Sequence, residues 1–187
     1  MEEAREILRK LTGKKYIYLK ARGNHAIREA LQAVDSEREN TLVQDQGGWL
    51  RYLDYPQKYG FIVEKVKTDH GIIGLKDLEN RAKNAAALLY ENPAGYIAEQ
   101  PVEEIYNTCS QEGCRVILDI TGAIGYDYYN TADIVIASFG KEKPVNYGYG
   151  GVVASDQPLD IEEDFEAEHI SGLINNLKAL EDRQKFL

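Results

Sequence analysis

Apolar positions along the chain alternate between two periods. Ala4, Ile7, Leu8 and Leu11 recur at helical spacing in residues 2–11, and Ile27, Ala30, Leu31 and Val34 do so in 24–34. Between and after them lie short β-rich runs at 16–19, 41–43, 61–66, 87–90, 115–119, 133–138 and 151–154. Further helical patterns cover 49–59, where Pro56 predicts a kink or an end, then 75–85, and then 102–111, closed by Gly113. From about residue 161 the tail reads as one long acidic helix, with Ile170, Leu173, Ile174, Leu177 and Leu180 as its apolar stripe.

Strands separated by helices of about 10–15 residues predict βαβ units and a mainly parallel sheet covered on both faces. The expected fold class is therefore α/β, a three-layer α/β/α sandwich. The last three strands lie too close together for a crossover helix each, so at least one is antiparallel or joined by an irregular loop. A length of 187 residues and 21.1 kDa suits one domain. The acidic stretch 155–164, with Pro158, is the one candidate boundary, giving a domain over 1–160 and a terminal helix over 161–187.

Composition narrows the function classes. Hydrophobic residues at 43% and charged residues at 28% exclude collagen-like and broadly disordered chains. The longest apolar runs fall far short of the roughly 20 residues of a membrane helix, so no membrane partner is expected. The N-terminus is acidic and amphipathic without an apolar signal core, and the expected location is cytoplasmic. A net charge of −9 with no basic stripe argues against nucleic acid. Cys109 and Cys114 have neither a CxxC spacing nor ligands nearby, and read as reduced thiols. His25, His70 and His169 are scattered, so no metal site is expected.

In open α/β sheets, ligands bind beyond the carboxyl ends of the strands, and four stretches there carry candidate chemistry. Gly23, Asn24 and His25 open a helix directly after the first strand, where free N–H groups favour an anion, although a plain Asn cap fits equally. Asp119 ends the apolar run of its strand and needs a cation or donor, or simply braces the loop. Ser138 ends another strand. Lys141 and Lys143 follow, then the glycine-rich turn from Gly148 to Gly151. A lysine there is a phosphate clamp, a Schiff-base nucleophile or a solvated surface group. Trp49, after Gln46, Gly47 and Gly48, is a core anchor or a flat face for an aromatic ring.

Taken in chain order, these stretches resemble the large domain of the fold-type I pyridoxal-phosphate (PLP) enzymes, the aspartate aminotransferase-like fold. In particular they resemble the aminosugar aminotransferases of the DegT/DnrJ/EryC1/StrS family. The resemblance covers about residues 16–155, and Asn92, Pro93, Ala94 and Gly95 match a loop of that family. It implies pyridoxal 5′-phosphate as cofactor, with Gly23, Asn24, His25 and Ser138 at its phosphate and Trp49 stacked on its ring. Asp119 would pair with the ring nitrogen. The family has a serine five residues before its Schiff-base lysine and a glycine turn beginning five after it. Ser138 and Gly148 therefore select Lys143 over Lys141. Lys143 would also serve as general base in the proton shift of transamination.

Two departures stand beside these matches. Gly122 takes the place of a glutamine or histidine near the cofactor's phenolic oxygen, leaving Thr121 to compensate. The family's small C-terminal domain, which closes the site, has no counterpart before Leu187. The resemblance implies an aminotransferase acting on an amino acid or an amino/keto sugar. Its expected partners are a small-molecule amino donor and acceptor, and a second copy of the chain or a separate small-domain subunit. The alternatives are a catalytically reduced PLP-fold subunit or regulator, and an unrelated α/β binder of nucleotide phosphates.

Overall fold

A computed structural model describes residues 1–126 and 131–184. In chain order the elements are α1 (Glu2–Thr12), β1 (Tyr16–Lys20), α2 (Gly23–Gln32), β2 (Asn40–Gln44), a 3-10 turn (Leu50–Leu53), α3 (Tyr55–Lys58) and β3 (Ile62–Val66). A two-stranded ribbon of β4 (Thr68–Asp69) and β5 (Ile72–Ile73) follows, then α4 (Leu75–Ala82), β6 (Ala85–Glu91), α5 (Val102–Gln111) and β7 (Arg115–Asp119). The chain continues through β8 (Ile134–Ser138), β9 (Gly151–Ser155), α6 (Ile170–Lys178) and α7 (Leu180–Gln184).

Seven strands form one sheet in the order β1-β9-β8-β7-β6-β2-β3. Every pairing among β8, β7, β6, β2 and β3 is parallel, whereas β9 runs antiparallel to both β1 and β8. The strands are apolar nearly throughout because both faces are covered. On one face Leu42, Leu88, Val116 and Leu118 pack with Leu8, Leu78, Ile105 and Leu173 of the helices. On the other, Val43, Leu89, Ile117 and Val153 pack with Ala26, Ile27, Ala30 and Leu31 of α2. The α/β sandwich and its antiparallel strand are as the periodicity predicts. Among the described residues, no helix is long and apolar enough to cross a membrane.

Three elements differ from the pattern. Residues 49–59 divide into the 3-10 turn and the short α3, with Pro56 in the first turn of α3. The β4–β5 ribbon was not expected from the sequence. The tail is not one helix from 161: helical structure begins with a turn at Ala167–His169 and continues as α6 and α7. Residues 185–187 lie outside the described residues.

The physical reason for the late start lies in β1, which is the sheet edge. An unpaired edge presents backbone donors that must find partners. Glu163 Oε1 accepts the Leu19 N–H at 2.6 Å and Asp164 Oδ1 accepts the Ala21 N–H at 2.9 Å. The segment before α6 is thus a strap whose carboxylates cap the edge, and a helix could not lay them there. The strap also neutralises Lys20, which is buried on the edge strand. Its Nζ donates to the Glu162 carbonyl and lies 3.2 Å from Asp164 Oδ1. Farther on, Leu173, Leu177 and Leu180 return to the core, so the apolar stripe of the tail packs on its own domain.

Asp164 is the centre of this closure. Burial pushes its carboxyl up, but the Ala21 N–H, His25 and Lys20 outweigh that and hold it below the ordinary aspartate value. Asp164→Asn should lower stability by about 1–3 kcal/mol at neutral pH, the usual cost of losing bonds to a charged group. The aspartate's contribution is full above its unfolded value near about 3.9 and fades as pH falls through the lower folded value. Urea unfolding at pH 7 and pH 2.5 checks this. The difference between the variant and the parent should be smaller at pH 2.5 than at pH 7.

Candidate functional site

Six of the seven strands, all but β9, end at the same edge of the sheet, and the special residues of the sequence collect there. The chain passes from β1 directly into α2, whose N-terminus abuts the end of β8. The approach is so close that a Cβ on Gly23 would stand 2.6 Å from the Ser138 Cβ and 2.7 Å from its Oγ. Glycine at 151 is required from the other side, since a Cβ there would lie 3.0 Å from the Gly23 Cα. The His25 and Ala26 N–H groups bond the Arg22 carbonyl at 3.0 and 3.2 Å, while those of Gly23 and Asn24 have no acceptor within the helix and, with the helix dipole, favour negative charge beside Ser138.

Asp119 ends β7 and is buried, and its need for donors is met locally and from a distance. Thr121 donates to Oδ1 from its backbone N–H at 2.8 Å and from its hydroxyl at 2.5 Å. Tyr52, itself fully buried, donates its hydroxyl to Oδ2 at 2.7 Å. Burial raises the Asp119 carboxyl above its ordinary value, while Thr121, Tyr52 and the charge of Lys143 oppose that rise. The Thr121 hydroxyl also accepts the Ser138 N–H at 2.9 Å, so the ends of β7 and β8 are linked through one side chain.

Three adjoining cavities occupy this edge. A central one of about 90 Å³ is lined by Gly23, Asn24, Trp49, Glu91, Asp119, Thr121, Ser138 and Lys143 among others. A second, of about 250 Å³, shares Gly23, Asn24 and Ser138 with it and extends to the 148–150 turn. A third, of about 340 Å³, shares Glu91, Asp119, Thr121 and Lys143 and extends along Pro93, Ala94, Gly95, Tyr96 and Ile97 to Glu142. Together they make a trough with an anion-favouring end, a carboxylate floor and an outer compartment. Trp49 stands half exposed over the centre, with Lys143 Nζ 5.5 Å from the centroid of its ring.

Of the residues singled out in the sequence, Gly23, Asn24, Trp49, Asp119, Thr121, Ser138 and Lys143 therefore share one cavity wall. The side chain of His25 is elsewhere. Its Nδ1 lies 2.5 Å from Asp164 Oδ2 on the strap, and His25 lines none of the three cavities. Lys141 also lies outside them, and its side chain passes close to Gly148. Two residues of the floor were missed. Glu91 ends β6 one residue beyond the predicted strand, and applying the strand-end rule to the full strand finds it. Tyr52 sits in a turn whose contact with Asp119 spans 67 positions, and no local signal announces it.

No family model matches the sequence, and no curated protein matches it. Solved structures do match in fold. Serine palmitoyltransferase from S. paucimobilis, determined with PLP bound, aligns at 15% identity with a TM-score of 0.74 over 96% of this chain and 52% of its own. Cysteine desulfurase from Thermococcus onnurineus NA1 gives 16%, 0.74, 98% and 56% for the same four measures. Ureidoglycine–glyoxylate aminotransferase from Bacillus subtilis gives 16%, 0.75, 97% and 57%. The chain thus has the large-domain fold of fold-type I PLP-dependent enzymes and spans a little over half the length of these three.

The contact between α2 and β8 gives a direct test of how the trough is built. Gly23→Ala should destabilise the protein by about 1–3 kcal/mol, the usual range for forcing a methyl into a filled space. Adding Ser138→Gly removes the opposing Cβ and should return part of that loss. Thermal denaturation of the two single variants and the double variant checks the coupling. Simple additivity would refute the steric contact.

Proposed function

We propose that this chain is the cofactor-binding part of a PLP-dependent transferase of the aminotransferase kind, acting on an amino acid or an amino/keto sugar. The observation that carries this reading is the meeting of Lys143, Asp119, Trp49 and the Gly23–Ser138 contact in one trough. The chemistry of that set fits pyridoxal phosphate. A helix start without side chains in the way suits a phosphate, an indole suits a flat ring, and a buried carboxylate suits a ring nitrogen. A lysine within reach of all three suits an aldehyde. When bound, the cofactor supplies an electron sink that acidifies the hydrogen on the amine-bearing carbon.

The chain's own residues account for the remaining work. Gly23, Asn24 and Ser138 hold the phosphate end and fix its position along the trough. Asp119, with two hydrogen bonds at Oδ1 and one at Oδ2, is oriented before any ligand arrives. Its carboxylate keeps a proton on a ring nitrogen by raising that nitrogen's basicity. Trp49 covers the ring plane. Lys143 Nζ would hold the aldehyde end and would be the group to take and return the proton at the substrate carbon. His25 contributes from behind, by steadying the strap at the start of α2.

Incubation with pyridoxal phosphate, borohydride reduction and peptide mapping test the assignment. The wild-type chain and Lys141→Ala should carry one pyridoxyl group on Lys143, and Lys143→Ala should carry none. Label on Lys141 would move the register by two residues. No label on any lysine would favour a catalytically reduced subunit of the same fold.

A second copy of the chain is the expected partner. Trp49, which lines the central cavity, is 47% exposed, its neighbour Leu50 75%, and Tyr96 and Ile97 of the outer cavity 75% and 89%, large exposed apolar groups of the kind that marks association surfaces. Two-fold pairing is the commonest closure for such a surface. Light scattering at micromolar concentration should give twice the chain mass, and a mass of 21.1 kDa would refute the pairing.

A further inference from the structure

The floor of the trough holds one acid more than its proposed chemistry uses. β6 and β7 are parallel, and their register places Glu91 directly beside Asp119 at the two strand ends. Adjacent strands lie about 4.8 Å apart and register partners point to the same face, so the two carboxyl groups face one another across the floor. Both line the central and the outer cavity. The backbone allows no easy retreat for Glu91, whose N–H is fixed to Gln44 Oε1 at 3.0 Å.

Two carboxylates this close in a half-buried place do not both ionise readily. The donors decide which one does. Asp119 receives three hydrogen bonds, two from Thr121 and one from Tyr52, and each favours its charged form. We propose that Glu91 and Asp119 work as a proton-sharing pair, in which Asp119 keeps the charge and Glu91 keeps the proton. The floor then offers one negative charge beside Lys143 instead of two.

The charged and titratable groups facing Glu91 agree with this. Asp119 opposes it from β7, Glu142 lines the same outer cavity, and Lys143 and the Tyr52 hydroxyl act in the other direction. Burial and then the Asp119 charge push the Glu91 carboxyl up to about 7, against the pull of Lys143, the Trp49 backbone N–H and Tyr52. Glu91 is therefore neutral below neutrality and ionises as pH rises through about 7. A second negative charge on the floor opposes a phosphate-ester ligand. Affinity for pyridoxal phosphate then falls above the midpoint, by no more than about tenfold per pH unit. Only this last step rests on the function proposed above, and the proton pair does not.

The sole tryptophan provides a readout that needs no cofactor, because Trp49 lines the central cavity with Glu91 and its backbone N–H acts on the Glu91 carboxyl. Fluorescence of the ligand-free protein from pH 5 to 9 should titrate with a midpoint near 7 in the wild type and not in Glu91→Gln. Asp119→Asn removes the opposing charge and should move the midpoint down toward the ordinary glutamate range, a check that holds if Glu91→Gln fails to fold. A flat wild-type trace, or a midpoint unchanged in both variants, overturns the pair. Pyridoxal phosphate affinity measured across the same range should fall above pH 7 in the wild type and stay level in Glu91→Gln. An equal fall in both overturns the link to binding. Absence of pyridoxal phosphate binding at every pH defeats the proposed function, while the fluorescence titration still decides the pair.

Discussion

A carboxylate kept away from water at the end of a β-strand has to be supplied with donors, and much of this structure follows from meeting that need at Asp119. Burial alone would leave the group protonated or strongly destabilising. The turn after β7 answers first, bending so that Thr121 brings both its N–H and its hydroxyl to one oxygen. The other oxygen is reached from the far side of the floor by Tyr52. That bond serves both partners, since a phenol as buried as Tyr52 also needs an acceptor. It pins the 3-10 turn Leu50–Leu53 to the sheet. The Tyr52 N–H in turn bonds the Trp49 carbonyl at 2.9 Å, so the indole is held over the floor by the residue that holds the acid.

Close packing at the neighbouring strand ends continues the same construction. The Thr121 hydroxyl that donates to Asp119 accepts the Ser138 N–H, and Ser138 is the residue against which α2 begins. An anion-favouring helix start, a serine and a buried acid are thereby joined through direct contacts. Displacing one strand end by even a few tenths of an ångström would disturb the rest, because interiors packed at this density transmit strain. The strap completes the enclosure from the opposite edge. Its Asp164 binds the backbone just before α2 and the imidazole of His25 within it.

The parts legible in the sequence are those written in local periodicity. β6, β7, β8 and β9 are apolar on both faces, and their runs stand out because the sheet is covered on both sides. Strand-end placement then brought Asp119, Ser138 and Lys143 to notice without any knowledge of their contacts. The failures have equally specific causes. Asn92–Pro93 follows β6 directly, and the apolar run stops at Tyr90, so the polar last residue of the strand, Glu91, does not stand out. The apolar stripe that begins at Ile170 is a true helix, but extending it back to 161 ignored the edge donors of β1. Glu163 and Asp164 are spent on Leu19 and Ala21, and no periodicity reports backbone donors 144 and 143 residues away. Tyr52 belongs to the same class, a side chain whose purpose lies wholly in a distant partner.

The register between β6 and β7 explains why the floor has the charge it has. Parallel strands fix which residues lie side by side. Once Asp119 ends β7, the last residue of β6 is its neighbour whatever its chemistry. An asparagine or alanine there would leave a single acid in a polar setting. Glutamate instead introduces a second ionisable group into a space where Asp119 already takes both Thr121 donors and the Tyr52 hydroxyl bond. Bringing in another cation would balance both charges but fill the space above the floor. Holding a proton on Glu91 balances them without occupying it, with Lys143 as the cation that acts on both members of the pair. The cost is a dependence on pH, because a group neutralised by burial and by a like charge is neutral only below the value those two forces set. That dependence is thus a consequence of where two strands end, rather than a feature added to the fold.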